Sequence, residues 1–291
     1  MAHCTMLQAG EIQAIVGDDA RNSVAGPQYS GVWSLTSTHR AFNAFGNSYA
    51  GLLPGLIRQR KPALECIDDT CCALVRHGDD DYPVDVQATY KVQAPYYVDH
   101  AVTFSDRRDM RSAGCSFREV SWCCYMNCPE DSRLNFLSNG EWFRYMSPRH
   151  GIGSNIAPSY VDDADLEVWP ERREVVGNMK DSRWKEPFHW DRIERRFDKP
   201  FYYGRLGHMV MILIFDTSRW LRFYCSPSGG GPSLRAGETC PAWDFEWVIP
   251  SADYAPSREY EFRARLVYKV FESDEDVLKE YRQAREDLGF A

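Results

Sequence analysis

The segment from Trp243 to Pro250 alternates large apolar side chains with two acids. In an extended strand, successive side chains point to opposite faces, so Asp244 and Glu246 would share one face with Val248. Two carboxylates on a covered face are costly unless a polar ligand, a metal ion or basic groups compensate them. The alternative is a surface strand whose acids are solvated. The spacing therefore indicates either a site for a sugar-sized polar ligand or an exposed strand face.

Four histidines have contexts that suit proton transfer, because an imidazole can act as an acid or a base near neutral pH. His100 lies within a predicted strand, His150 lies in a glycine-containing loop, and His208 begins an apolar strand. His189 stands between two aromatic residues. For each, the alternative is a core or surface imidazole that makes a local hydrogen bond. The candidate catalytic residues are Glu246, His150, His100 and His208.

Glu119 is the other conspicuous acid, and it shares a predicted strand face with Ser121. Its alternative role is a cross-strand ion pair. Arginines in the following segment can bind a uronate carboxylate bidentately. The candidate substrate-binding residues are Arg144, Arg149, Asn155, Trp122, His189, Asp244 and Glu119.

Metal binding is a further hypothesis for some of these side chains. The possible ligands are His100, Glu119, His150, His189 and Glu246, but neither an HxH nor an HExxH spacing supports such a site. The expected cofactor is therefore none or a divalent metal, and the sequence leaves the choice open.

Composition narrows the classes of partner. The 291 residues carry a net charge of −8, which argues against non-specific nucleic-acid binding. The longest apolar run, Met209 to Phe215, is far too short to span a membrane. The first ten residues lack the features of a signal peptide, so we expect a cytoplasmic protein with reduced cysteines. A sugar or oligosaccharide is the expected partner, and the oligomeric state stays open.

Strand patterns dominate the chain, apart from an irregular segment over 129–200 that we expect to cover the sheet. One helix is predicted over 273–288, with Ser273 as its cap and a stripe of apolar residues four and three positions apart. We therefore predict an all-β protein. It would form a single domain over 1–291, a large antiparallel β-supersandwich with a C-terminal helix.

The C-terminal order resembles the galactose mutarotase-like superfamily of sugar-active β-supersandwiches. The resemblance rests on Asp244-Phe245-Glu246, then Pro250, then Pro256 to Tyr260 and a strand that ends at Phe271. The early segments Gly31–Leu35 and Tyr49–Leu52 are similar to the opening of such a sandwich.

The resemblance implies a role for Glu246, that of the base which takes the proton of the anomeric hydroxyl. A histidine would protonate the ring oxygen, but we find no clear counterpart of the family's histidine-containing motifs. Similar sandwiches also occur in polysaccharide lyases and glycosidases, so an epimerase and a lyase both stay open. A non-catalytic sandwich whose aromatic residues stack on a glycan is the alternative, and a structural or partner-binding protein is a third.

Overall fold

The computed structural model describes residues 3–20, 29–46, 51–58, 60–111, 117–159, 192–228 and 237–290. Within these ranges strands dominate, and one α-helix, α1 (Asp274–Asp287), follows the last strand. The strands are β1 (Cys4–Ala9), β2 (Ile12–Ala20), β3 (Tyr29–Ser37), β4 (Leu53–Pro54), β5 (Ala63–Asp68), β6 (Cys71–Arg76), β7 (Val84–Gln93), β8 (Tyr97–Asp106), β9 (Phe117–Cys123), β10 (Asp131–Ser138), β11 (Glu141–Tyr145), β12 (Asn155–Ile156), β13 (Phe201–Leu206), β14 (Met209–Phe215), β15 (Leu221–Ser226), β16 (Ala242–Pro250) and β17 (Glu259–Val270). A 3₁₀ turn, Gly55–Ile57, follows β4.

These strands form three antiparallel sheets. The largest has nine strands in the order β11-β10-β13-β14-β17-β8-β7-β6-β5, and the second has five in the order β12-β15-β16-β9-β4. A smaller sheet consists of β1, β2 and β3. The prediction of an all-β antiparallel sandwich with a C-terminal helix is confirmed. The single domain stays a prediction, and one apolar core with residues from all three sheets supports it.

Aromatic side chains join the two large sheets. Trp247 of β16 stacks on Phe262 of β17 with ring centroids 4.2 Å apart, and Phe245 packs against Phe215 of β14 at 4.7 Å. Trp122 of β9 stacks on Phe245 from the neighbouring strand. Each such buried side chain contributes roughly 1.5–3 kcal/mol of transfer free energy. One face of β16 and of β9 is therefore buried in the core.

His100 and Trp122 form a polar contact inside this core. The Trp122 Nε1–H donates to His100 Nε2 at 3.0 Å, and His100 Nδ1 lies 3.0 Å from the Thr89 carbonyl oxygen, to which it must therefore donate. The ring of Tyr90 stacks on the imidazole. Burial lowers the pKa of His100 to about 4. The sequence placed His100 among catalytic candidates and Trp122 among substrate contacts, whereas in the structure both lie between the sheets.

Helix α1 packs on the outer face of the nine-stranded sheet, where Val277 and Ala284 are buried against apolar residues of β13, β14 and β17. The Ser273 hydroxyl accepts a hydrogen bond from the Asp276 backbone N–H at 3.1 Å, as the predicted cap requires. No helix in the described ranges is long and apolar enough to cross a membrane.

The segment 129–200 differs from its prediction, since β10, β11 and β12 lie within it. The inner half of β10, Leu134–Ser138, is buried on both faces, so its sequence lacks a period of two. Residues 160–191 lie outside the described ranges.

The buried His100 makes stability depend on pH. Between its unfolded pKa of about 6.5 and its folded pKa of about 4, the unfolded chain binds more protons, so stability falls as pH falls through this window. The full effect is roughly 3 kcal/mol. We expect His100→Gln to lack this part of the pH dependence in urea unfolding between pH 7 and pH 4.

The matched control for this experiment is His77→Gln, since His77 lies in an exposed turn. It should keep the wild-type pH dependence. If the free energy of unfolding depended on pH in the same way in the wild type and in His100→Gln, the imidazole of His100 would not be buried in its neutral form.

Candidate functional site

Strand β16 lies between β15 and β9, and its register brings polar side chains together. Glu246 pairs with Arg222 of β15 and Ser121 of β9, and Asp244 pairs with Tyr224 of β15. These side chains point away from the aromatic core, because successive residues alternate between faces. We call this surface the polar face; it comprises Glu119, Ser121, Asn155, Arg222, Tyr224, Ser226, Asp244 and Glu246.

Glu246 is buried on this face, although it carries an ionisable group. Its exposed fraction is 2%, and that of Arg222 is 4%. The Glu246 Oε1 atom has no hydrogen-bond partner among the described residues. The charge of Arg222 opposes the effect of burial on the Glu246 carboxyl group. A solvated surface strand therefore does not describe Glu246.

The Glu119 and Glu246 carboxyl groups lie close enough for the charge of one to act on the other. Glu119 pairs in register with Val248, so the two acids are diagonal neighbours on adjacent strands. Burial is the main cause that raises the pKa of each, and the Glu119 charge raises the pKa of Glu246 further. Both shifts favour the protonated form of these carboxyl groups.

Asp244 forms a hydrogen bond with the backbone at the end of β9. Its Oδ1 accepts a hydrogen bond from the Cys124 backbone N–H at 2.6 Å. Burial raises the pKa of Asp244 to about 7, although this hydrogen bond and the charge of Arg58 both act to lower it. The Arg58 Nη2–H donates to the Tyr29 hydroxyl at 3.3 Å, while Arg58 Nε is buried without a partner among the described residues.

Asn155 and His150 lie beside β15. Asn155 pairs in register with Tyr224 and is fully buried, and neither amide atom has a hydrogen-bond partner among the described residues. His150 Nδ1 lies 2.7 Å from the Ser226 Oγ and 3.1 Å from the Ser228 carbonyl oxygen. Burial lowers the pKa of His150.

His150 contacts β15 at a point away from the partner of Glu246. Ser226, which it contacts, is four residues from Arg222, the partner of Glu246. At about 3.4 Å per residue this separation is about 14 Å. His150 therefore lies at one end of the polar face and not beside Glu246.

Several other candidates lie away from the polar face. His208 is exposed, and its Nε2 contacts the His39 carbonyl oxygen at 3.1 Å. Arg144 donates from Nε to Asn135 Oδ1 at 2.9 Å, on β11 and β10 of the other sheet. Arg149 is exposed in a loop, and His189 lies outside the described ranges.

The sequence analysis missed Arg58, Arg222 and Tyr224. Arg222 and Tyr224 alternate with apolar residues along β15, so the same pattern that indicated Asp244 could have found them. Arg58 carries no such signal, because its position depends on the pairing of β4 with β9. In the part of the chain that the structure describes, no group of three His, Cys, Asp or Glu side chains is placed to hold a metal ion.

The carboxyl pair gives stability a pH dependence of opposite sign to that of His100. Because the folded pKa of Glu246 is raised, the folded state binds more protons above the unfolded pKa of about 4.3, and stability falls as pH rises. The Glu246→Gln variant has no carboxyl group at this position, so it does not lose this part of its stability as pH rises. We expect the variant to gain stability relative to the wild type between pH 5 and pH 8 in urea unfolding.

Glu141→Gln is the control for that measurement, because Glu141 is exposed at the start of β11. It should run parallel to the wild type. A Glu246→Gln curve that is parallel as well, or that loses stability with rising pH more steeply than the wild type, would contradict the buried carboxyl group.

Comparisons with known proteins find structural relatives alone, since no family model and no curated protein matches. A putative aldose 1-epimerase from Escherichia coli K12 aligns with a TM-score of 0.48 and 9% identity, over 92% of this chain and 99% of that one. A GalM/aldose epimerase homologue from C. elegans aligns with a TM-score of 0.48 and 8% identity over the same shares. At this level of similarity the alignments say nothing about activity or substrate.

Proposed function

We propose that this protein is an acid–base enzyme that interconverts the anomers of an aldose. The observation that carries the proposal is the buried Glu246, which lies beside Arg222 with one carboxyl oxygen unpartnered among the described residues. Buried polar atoms in folded proteins normally have partners, so this oxygen indicates a polar ligand. The unpartnered amide of Asn155 on the same face supports the same conclusion.

The mixture of groups on the polar face suits a polyhydroxyl ligand. Carboxylates accept hydrogen bonds, guanidinium groups donate them, and amide and hydroxyl groups do both. Sugar hydroxyls likewise donate and accept. Asp244, Asn155 and Tyr224 would thus bind ring hydroxyls while Glu246 meets the reacting one.

Glu246 takes the role that the sequence resemblance implies, that of the general base. It removes the proton of the anomeric hydroxyl while the bond between the anomeric carbon and the ring oxygen breaks. The electron pair of that bond goes to the ring oxygen, which receives a proton from an acid. After rotation of the open-chain aldehyde, the reverse steps close the ring with the other configuration. A carboxylate with a raised pKa is a stronger base than an ordinary one, which favours the first step.

A lyase that acts on a uronate is the second candidate, and Arg58 favours it. A lyase needs a cation to neutralise the substrate carboxylate, and Arg58 lies near Asp244 with its Nε unpartnered among the described residues. Arg144 and Arg149, which the sequence suggested for this task, lie elsewhere. Trp122, Trp243 and Trp247 are buried, so a glycan cannot stack on these three tryptophans.

The test is the rate of anomer exchange, measured by magnetisation-transfer NMR with a panel of hexoses, pentoses and their phosphates. We expect the wild type to accelerate exchange of at least one aldose. Glu246→Gln should lower that rate by about 10²–10⁴-fold, because it removes the base and keeps the shape of the side chain. Glu141→Gln, with its change on the exposed hairpin, should keep the wild-type rate.

Two results would contradict the proposal: no acceleration of any aldose by the wild type, or an unchanged rate in Glu246→Gln. Uronate oligosaccharides are included to detect the lyase, whose unsaturated product absorbs ultraviolet light. Appearance of that product without anomer exchange would select the second candidate.

A further inference from the structure

We propose that Glu119 is the second catalytic group of this site and that Glu119 and Glu246 act on the substrate as a carboxyl pair with one shared proton. The inference rests on the proposed function and adds a second proton-transferring group to it. It also narrows the substrate to a cyclic hemiacetal, a sugar whose anomeric hydroxyl is free.

The register of β9 and β16 creates the pair. Glu119 stands opposite Val248 and Glu246 stands opposite Ser121, so the acids are diagonal neighbours on one face. The charge of Glu119 acts on the Glu246 carboxyl group. Two neighbouring carboxyl groups can form a hydrogen bond when one of them carries a proton. Glu119 is partly exposed, so a ligand on the polar face can reach it.

None of the described histidines lies beside Glu246. His100 is held in the core by Trp122 and Thr89, and His208 is exposed on the turn between β13 and β14. His150 contacts Ser226, which lies about 14 Å along β15 from Arg222, the residue opposite Glu246. The ionisable side chain diagonal to Glu246 on the neighbouring strand β9 is a carboxyl group, that of Glu119, and not an imidazole.

The charges that face the pair come from three strands. Arg222 of β15 lowers the pKa of Glu246, whereas Asp244 of β16 raises it. Arg118 of β9 lowers the pKa of Glu119, against the larger effect of burial. Among the described residues, Tyr224 of β15 also interacts with Glu246, and Cys123 of β9 interacts with Glu119. Burial of two adjacent acids, against which each of the two arginines acts only in part, favours a pair that holds a single proton.

A pair of this kind fits the chemistry of a hemiacetal. The anomeric hydroxyl and the ring oxygen are bonded to the same carbon, so two adjoining carboxyl groups can contact both at once. The carboxylate takes the hydroxyl proton, the bond from the anomeric carbon to the ring oxygen breaks, and the ring oxygen takes the proton of the carboxylic acid. The pair gains one proton and loses one, so it still holds a single proton. Ring closure reverses these transfers and needs no other reactant.

Infrared spectroscopy of the ligand-free protein tests the shared proton without any substrate. The wild type should show a carboxylic-acid band at pH 7 that is missing from the Glu119→Gln, Glu246→Gln double variant. In Glu119→Gln the band of Glu246 should titrate at lower pH, because the adjacent negative charge is gone. The shared proton would be refuted if the wild type lacked the band. It would also be refuted if the titration midpoint of the Glu246 band were unchanged in Glu119→Gln.

Anomer-exchange kinetics tests the catalytic role. Glu119→Gln and Glu246→Gln should each lower kcat by about 10²–10⁴-fold, and the double variant should be little worse than either, because the two groups act as a unit. Glu119→Gln should also alter the pH profile of kcat, which a merely structural role would not do. Glu141→Gln serves as the control and should match the wild type.

The outcomes separate this inference from the proposed function. Wild-type exchange with an unchanged rate and pH profile in Glu119→Gln overturns the role of Glu119 and leaves the proposed function standing. No exchange of any aldose by the wild type overturns the proposed function and the catalytic role together, whatever the infrared result.

Discussion

Strand β16 has one face packed into the aromatic core, and this packing fixes where its carboxyl groups point. Trp247 on Phe262 and Phe245 on Phe215 hold β16 against the nine-stranded sheet. A slip of one residue would exchange the two faces and bring Glu246 into the core. The polar face therefore depends on the packing of the large rings, which opposes a slip of one residue.

The same constraint places the two kinds of buried titratable group on opposite sides of the five-stranded sheet. His100 lies on the core side, where Trp122 and Thr89 satisfy both ring nitrogens and keep it neutral. Glu246 lies on the other side, beside Arg222 and Glu119, with one oxygen unpartnered among the described residues. A buried polar group with partners contributes to the specificity of the fold, whereas a buried polar atom without one needs a physical explanation. This difference is why the acid, and not the histidine, carries the functional proposal.

The sequence predicted those features of the structure that follow from the alternation of apolar and polar residues within one segment. The shared face of Asp244 and Glu246, the all-β class and the capped C-terminal helix all follow from periods of two or 3.6 residues. It did not indicate which strands become neighbours. The positions of Arg222 beside Glu246 and of Arg58 near Asp244 depend on pairings between distant segments, which alternation within one segment cannot reveal. The proximity of Glu119 and Glu246 is likewise a property of register, although the strand pattern of each acid had already made it a candidate.

Our main proposal is that Glu246 is a buried acid–base group that contacts a sugar. Carbon-13 NMR of labelled glutamate carboxyl groups tests it most directly, with Glu246→Gln used to assign the Glu246 resonance. We expect this resonance to titrate well above the ordinary pKa of about 4.3 and to shift when an aldose binds. A midpoint near the ordinary value, with no response to any aldose, would contradict it.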